Sequence, residues 1–497
     1  MKRLFVLFIA SMFFFTNQVS AETNNIREEL IYDIFVDRFN NGEASIQEGV
    51  DVEDPLTYNG GDIKGITKKV DHIRTFGFTT ISLSSVMKNA EDGYHGYWIE
   101  DFFEVEEQFG TMDDLKELVK EAHSKNVKVM LEFAPNYVAN THPFVEDDEK
   151  SDWFIEQDVE AKDALYWLDD VERLDLANED VQDYLLEVAH FWKDEFNIDG
   201  FNVHAADQSD TAFLERFTNE FASDDFYLVA NTLSNDHDVQ VTEDMVFDAV
   251  VNNQLLETFQ DILIKPDQPV SKLFEAWEQA SEEALPLLTV DNKNGKRFSH
   301  MMRENGRDTI TVWKMALAFL YTAEGVPFIY QGSELPMYGK DFEENQWLMQ
   351  FNSPDPDLEE VYNRLSSIRL EFPVLAHGDY EEVATNDYLT LFKRTDGKDD
   401  MYIAINNGSE SKSVSITEID SDLQLRGLLD DNTVRENKDG EFVVGIPRES
   451  AEIYMVEDNK GFNWLLIGFV VGVFILFIIF VIMMSRKQKQ REHKKHA

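Results

Sequence analysis

Residues 176–203 read LANEDVQDYLLEVAHFWKDEFNIDGFNV, and the fold turns on how this stretch is read. A helix starting near Asn178 places Val181, Tyr184, Leu185, Val188, Phe191 and Trp192 on one face. DGFNV at 199–203 then breaks that period with a short apolar run, the pattern of a strand covered on both sides. A helix delivered directly into a buried strand is half of the repeating unit of a parallel sheet.

The same alternation extends in both directions. IYDIFVD (31–37), TTISL (79–83), KVMLEF (128–133), FYLVA (226–230), MVFDAV (245–250), PLLTV (286–290) and PFIY (327–330) read as buried strands. Helical patterns lie between them. One starts at Thr111, where Asp114 completes a capping box ahead of Leu115, Leu118, Val119 and Ala122. Eight strands alternating with helices predict an α/β chain, a (β/α)8 TIM barrel within residues 22–375. MVFDAV has the weakest pattern of the eight and also reads as loop. Residues 136–178, rich in Asp, Trp and Phe, are expected to form a small domain inserted after the third strand. Between 376 and 457, LTLFKR, MYIAINN, SVSITEI, EFVVGI and AEIYMV alternate in the antiparallel manner, which predicts a second, all-β domain.

Both ends carry membrane signals. Lys2 and Arg3 precede LFVLFIASMFFF, and Val19-Ser20-Ala21 follows, so residues 1–21 read as a signal peptide, with an uncleaved anchor as the alternative. Residues 464–484 read as a transmembrane helix, since the run from Leu465 to Met484 has no charge and about 20 residues suffice to span a bilayer core. Arg486, Lys487, Lys489, Arg491, Lys494 and Lys495 mark 485–497 as a basic cytoplasmic tail, which places the large domain outside a cell membrane. Gly468 and Gly472 offer a weak homodimer signal. The chain has 44 Lys and Arg against 96 Asp and Glu, a net charge of −52. Eight of the basic residues sit in the two end segments, so the large domain is more acidic still. Such a surface excludes nucleic acid as a partner and suits a neutral ligand. The absence of cysteine excludes disulfides, thiol catalysis and thiolate metal sites.

Several segments in order resemble glycoside hydrolase family 13, the α-amylase family. They are IYDIFVDRFNNG, YNGGDIKGI, DGYHGYWIEDFFEV, FGTMDDLKELVKEAHSKNVKVMLEFAPNY, LANEDVQDYLLEVAHFWKDEFNIDGF and EGVPFIYQGSEL. The YHGYW and PNY phrasing is similar to that of cyclodextrin glucanotransferases and related bacterial amylases. The resemblance implies a site at the C-terminal strand ends. It also implies a retaining mechanism with an Asp nucleophile, a Glu acid–base and a second Asp, the first two about 5–5.5 Å apart.

Matched position by position, the chain departs from that chemistry. Gly200 and Phe201 fit the fourth-strand motif, but Asn202 replaces its arginine and His204 its nucleophile. Asn231 stands where the fifth strand should supply the acid. Asn292, Lys293 and Asn294 stand in the motif of the third carboxylate, with Asn294 at its position. Asparagine has no proton to donate at neutral pH, and a histidine nucleophile would leave a cationic adduct beside a cationic centre. The expectation is therefore a pseudo-glycosidase that binds α-glucan or maltooligosaccharide, or docks a protein. An active enzyme with a rewired acid pair among Glu132, Asp207 and Asp291 is the alternative. In the first reading, Lys293 neutralises Glu132.

The resemblance further assigns Tyr94, His95, Tyr97 and Trp98 to a sugar-stacking loop. Glu132, Tyr137, Asn202 and Lys293 join them as ligand-binding candidates. His142, Trp153 and Trp167 line the cleft or pack the insertion. Calcium is expected on Asn136 and Asp175 with a carbonyl near Gln208, or on Asn41, Glu43, the Gly60 carbonyl and Asp62.

Overall fold

The computed structural model describes residues 25–43, 49–156, 165–235, 237–352, 354–459 and 464–495. Eight parallel strands close into a barrel, each paired with its neighbours in chain order. They are β1 (Ile31–Ile34), β2 (Thr80–Leu83), β3 (Lys128–Phe133), β4 (Gly200–Val203), β5 (Tyr227–Ala230), β6 (Ala249–Val251), β7 (Pro286–Leu288) and β8 (Val326–Tyr330). Apolar runs of this length, buried on both faces, are what a strand needs between a packed interior and an outer ring of helices. Ile31, Met130, Val229, Leu287 and Phe328 are among the residues filling the interior.

The helices form where the periodicity places them. α1 (Met112–Ser124) opens with the Thr111–Asp114 capping box. α2 (Glu179–Phe196) is capped by Asn178 and ends on Asn197 in the left-handed conformation. Its Val181, Leu185, Val188 and Trp192 are buried. Tyr184 and Phe191 lie at the edge of that face and pack edge-on against Phe103.

Two strands differ most from the sequence reading, each because of one aspartate. β1 stops at Ile34 rather than running to Asp37. Residues Val36–Arg38 form a single tight turn, in which the buried Asp37 carboxylate accepts the N–H groups of Asn59 and Gly60. β6 begins at Ala249 rather than Met245, because Asp248 spends its side chain on the N–H of Leu228 at the entrance to β5 (2.7 Å).

The insertion after β3 is built on a hairpin of Tyr137–Ala139 with Val171–Arg173. The C-terminal domain has a six-stranded sheet and a second pair, Lys412–Ile416 with Phe442–Ile446. Alternation along its strands sends Phe392, Ile403 and Ile453 into the barrel's core and Leu391, Tyr402 and Tyr454 into the domain's own. Arg307 joins the two bodies through Asn407 (2.7 Å) and Glu449 (2.7 Å). A terminal helix, Trp464–Lys495, contains a stretch from Gly468 to Arg486 of mean hydropathy 2.9, with none of its length buried. It is long and apolar enough to cross a membrane. Residues 1–21, read as a signal peptide, lie outside the described residues.

Candidate functional site

The end of β3 carries the centre of the site. Glu132 is 2% exposed, and a lone carboxylate there would be costly. It is met from three directions. Lys293, on the loop after β7, places Nζ 2.5 and 2.7 Å from the two carboxylate oxygens. Tyr97 donates its hydroxyl at 3.1 Å. His204, just past β4, brings Nδ1 to 2.8 Å from Oε1. Neither ring nitrogen of His204 meets hydrogen-bond geometry among the described residues, so the ring approaches Oε1 without a well-aligned hydrogen bond. Burial pushes the Glu132 carboxyl up, but Lys293 and then His204 outweigh it and hold it down at about 2. Burial lowers His204 more than Glu132 raises it, so the imidazole stays neutral near pH 7.

A further titratable group at the site was missed in the sequence. Asp33 projects from β1 into the same field, nearly buried. Burial raises its carboxyl to about 7, with Glu132 adding to the rise and Lys293 and the Ser82 hydroxyl opposing it. The available signal was a charge inside the apolar run IYDI, which a buried strand tolerates only with a purpose or a partner.

An amide chain extends the site toward its mouth. Asn231 donates to Asn202 Oδ1 (3.0 Å), and Asn202 donates to Ser82 Oγ (3.2 Å). Asn294 donates its backbone N–H to Asn292 Oδ1 (3.0 Å), and Asn292 donates to Asn235 Oδ1 (2.9 Å). Asn202 is buried, whereas Asn231, Lys293 and Asn294 are partly open.

The aromatic loop does not stand open. Tyr97 stacks on His204 with ring centres 4.2 Å apart and planes 13° apart. Trp167 reaches over from the insertion, its ring centre 4.7 Å from Tyr97 and 6.2 Å from His204. Trp98 fixes that reach by donating Nε1–H to the Trp167 carbonyl (2.7 Å). Tyr97, His204 and Trp167 are 4%, 1% and 2% exposed, so their faces are spent on one another. Tyr94 and His95 are also buried, with Arg38 over the Tyr94 ring at 4.0 Å. Tyr137 packs edge-on to Trp167 (5.7 Å). Trp153 and His142 lie apart from this cluster and pack around Phe144 inside the insertion.

Asp207 and Asp291, the other carboxylates weighed for a rewired pair, are held elsewhere. Asp207 accepts from the Leu233 N–H (2.7 Å) and the Gln208 side chain (2.6 Å). Asp291 accepts from the Phe298 N–H (2.8 Å) and the Ser333 hydroxyl (3.1 Å), with Arg297 at 3.5 Å. Those contacts engage both oxygens of each carboxylate.

Neither expected calcium set fits a cation. Asp62 caps the helix Ile63–Thr67 and accepts backbone N–H groups from Gly42 (2.9 Å), Glu43 (2.7 Å) and Gly65 (2.5 Å). Glu43 pairs with Lys64, and the Asn41 amide nitrogen packs against Gly60. In the other set, Asn136 turns its NH2 toward carbonyl groups, and the Gln208 carbonyl accepts from Arg173.

A closed parallel barrel with an insertion after β3, a C-terminal β domain and polar residues gathered at the strand ends defines a (β/α)8-barrel protein with its candidate site at the C-terminal mouth. Comparison narrows it. The chain matches the model of the alpha amylase catalytic domain over residues 33–171 and that of the alpha-amylase C-terminal domain over 378–454. The first match ends before β4. Among solved structures, an Anoxybacillus α-amylase is 36% identical with a TM-score of 0.82, covering 88% of this chain and 100% of that one. The Geobacillus thermoleovorans α-amylase complexed with acarbose is 33% identical with a TM-score of 0.80 and the same coverage. The β/α-amylase of Paenibacillus polymyxa is 28% identical over 87% of this chain, which spans 38% of that longer protein. The chain belongs to the α-amylase family, glycoside hydrolase family 13.

Proposed function

We propose that this chain is a membrane-anchored, extracellular member of the family that takes part in carbohydrate metabolism by holding α-glucan without cleaving it. The observation that carries this reading is the capture of Glu132 by Lys293. A carboxylate held at both oxygens by Lys293 and Tyr97 and approached by His204 at Oε1 is hindered and charge-stabilised as a nucleophile, and its low pKa leaves it no proton to give. The family positions for nucleophile, acid and third carboxylate hold His204, Asn231 and Asn294. Residues acting as one catalytic unit lose roughly 10⁴–10⁶ in rate when a member goes. The terminal helix, basic at its C-terminal end, supports an anchor with the barrel outside.

Glucan would meet the rim rather than the floor, since the Tyr97 and Trp167 rings already cover one another. Asn231, Lys293 and Asn294 are partly open there and offer hydrogen bonds suited to sugar hydroxyls. Titration of maltoheptaose into the detergent-solubilised protein in a calorimeter tests the reading. The expected result is a saturable heat that returns to baseline after each injection. Sustained heat flow would mean turnover and sink the proposal; no heat at all would sink glucan binding in favour of a protein partner.

One observation favours a second reading. Burial raises the Asp33 carboxyl to about 7 while Lys293 and His204 hold the nearby Glu132 carboxyl down at about 2, a separation that suits an acid and a nucleophile. That reading requires turnover that Asp33→Asn abolishes.

A further inference from the structure

The insertion meets the barrel across a cavity of about 440 Å³, lined by Asn136, Arg173, Asp175, Asp207, Gln208 and Asp210 among others. The family resemblance puts a calcium ion at this joint, yet the donors are turned to a different use. Arg173 Nη2 donates to the Gln208 carbonyl at 2.5 Å. Asn136 aims its NH2 at the Ala205 carbonyl (3.0 Å) and Ser209 Oγ (2.9 Å), and its Oδ1 faces the Ser209 hydroxyl (3.2 Å). Two carbonyl oxygens lie within 3.4 Å of that nitrogen, so reversing the amide would set oxygen against oxygen. Asp175 turns one carboxylate oxygen to the Ala177 N–H (3.1 Å). Among the described residues, no three His, Cys, Asp or Glu side chains are gathered to hold a metal. Calcium wants six to eight oxygens at about 2.3–2.6 Å, and here it would face a guanidinium and an amide NH2 instead.

We infer that Arg173 does the work of a bound cation at this joint, tying the insertion to the loop after β4 and making the closed site independent of calcium. The guanidinium supplies a permanent positive charge and directed donors, in a wall shared with three aspartates. It is carried by the hairpin itself, at the residue paired with Tyr137. The loop it grips begins at His204 and the hairpin leads from Trp167, so both halves of the covered site hang from this contact. A metal ion would make that cover depend on the calcium outside the cell; a covalently attached charge does not.

Thermal unfolding of the full-length protein in detergent tests this, in a chelator and in millimolar calcium, with terbium luminescence as an independent reading of metal binding. The wild type should unfold at the same temperature in both solutions and give no saturable terbium signal. Arg173→Ala should lower the Tm by several degrees in chelator, and Arg173→Lys, which keeps the charge but loses the forked donors, by less. A wild-type Tm that falls in chelator, or saturable terbium binding displaced by calcium, would overturn the inference. An Arg173→Ala protein as stable as wild type in chelator would overturn it equally.

Discussion

Glu132 and Lys293 form a pair whose members cannot be removed singly without cost. Lys293→Met leaves a carboxylate buried at 2% exposure without its cation, met only by the Tyr97 hydroxyl and the His204 ring. Breaking a buried pair in this way costs about 3–5 kcal/mol, and the double variant Glu132→Gln/Lys293→Met should recover most of it. Denaturant unfolding of the two single variants and the double measures the difference. The pair also fixes an acid limb. Because Glu132 is depressed to about 2 in the folded state, its contribution is full above the usual carboxylate range and fades as pH falls from about 4.5 toward 2. Asp33 works in the opposite sense. Its folded pKa is raised to about 7, so its contribution is full below about 3.8 and is lost as pH rises through 7. Asp33→Asn, which mimics the protonated form, should be more stable than wild type at pH 8, and the gap should close toward pH 4. Unfolding curves at the two pH values check this; a gap independent of pH would refute it.

Regular elements were legible wherever a period or a cap announced them. The Thr111–Asp114 box and the Val181–Trp192 face state where α1 and α2 begin and what they bury. All eight barrel strands overlap the apolar runs, but two of their ends, that of β1 and the start of β6, are not marked in the sequence. For β6, Met245 and Phe247 continue the run past its true start, and only the tertiary bond from Asp248 to the Leu228 N–H sets the boundary. The site was half legible for a similar reason. Strand-end residues such as Glu132 and His204 are placed by local register. The Lys293–Glu132 contact could be anticipated because both flank one barrel mouth. Trp167 over Tyr97 could not, because it depends on how a 43-residue excursion, 136–178, folds back, which no local pattern encodes. Asp33 was passed over because one charge in a four-residue strand disturbs no period. For calcium the sequence showed only residue types: Asn136 and Asp175 have oxygen donors, but which way the Asn136 amide turns is set by the Ala205 carbonyl and Ser209 around it, which no local pattern encodes.

The whole molecule joins an acidic barrel to an apolar helix with a basic end. Net charge of −52 keeps such a surface soluble and turns away polyanions, while leaving a neutral glucan free to approach. Family membership gives this chain its fold and its kinship with carbohydrate-acting enzymes; whether it still cuts a glycosidic bond rests on the residues at one barrel mouth. The most direct measurement is the release of reducing ends from maltoheptaose by wild type, Glu132→Gln and Asp33→Asn, side by side. The account predicts that none of the three exceeds the uncatalysed background. A wild-type rate that disappears in either variant would show that the captured carboxylate still does chemistry, and the account of a silenced site would be wrong.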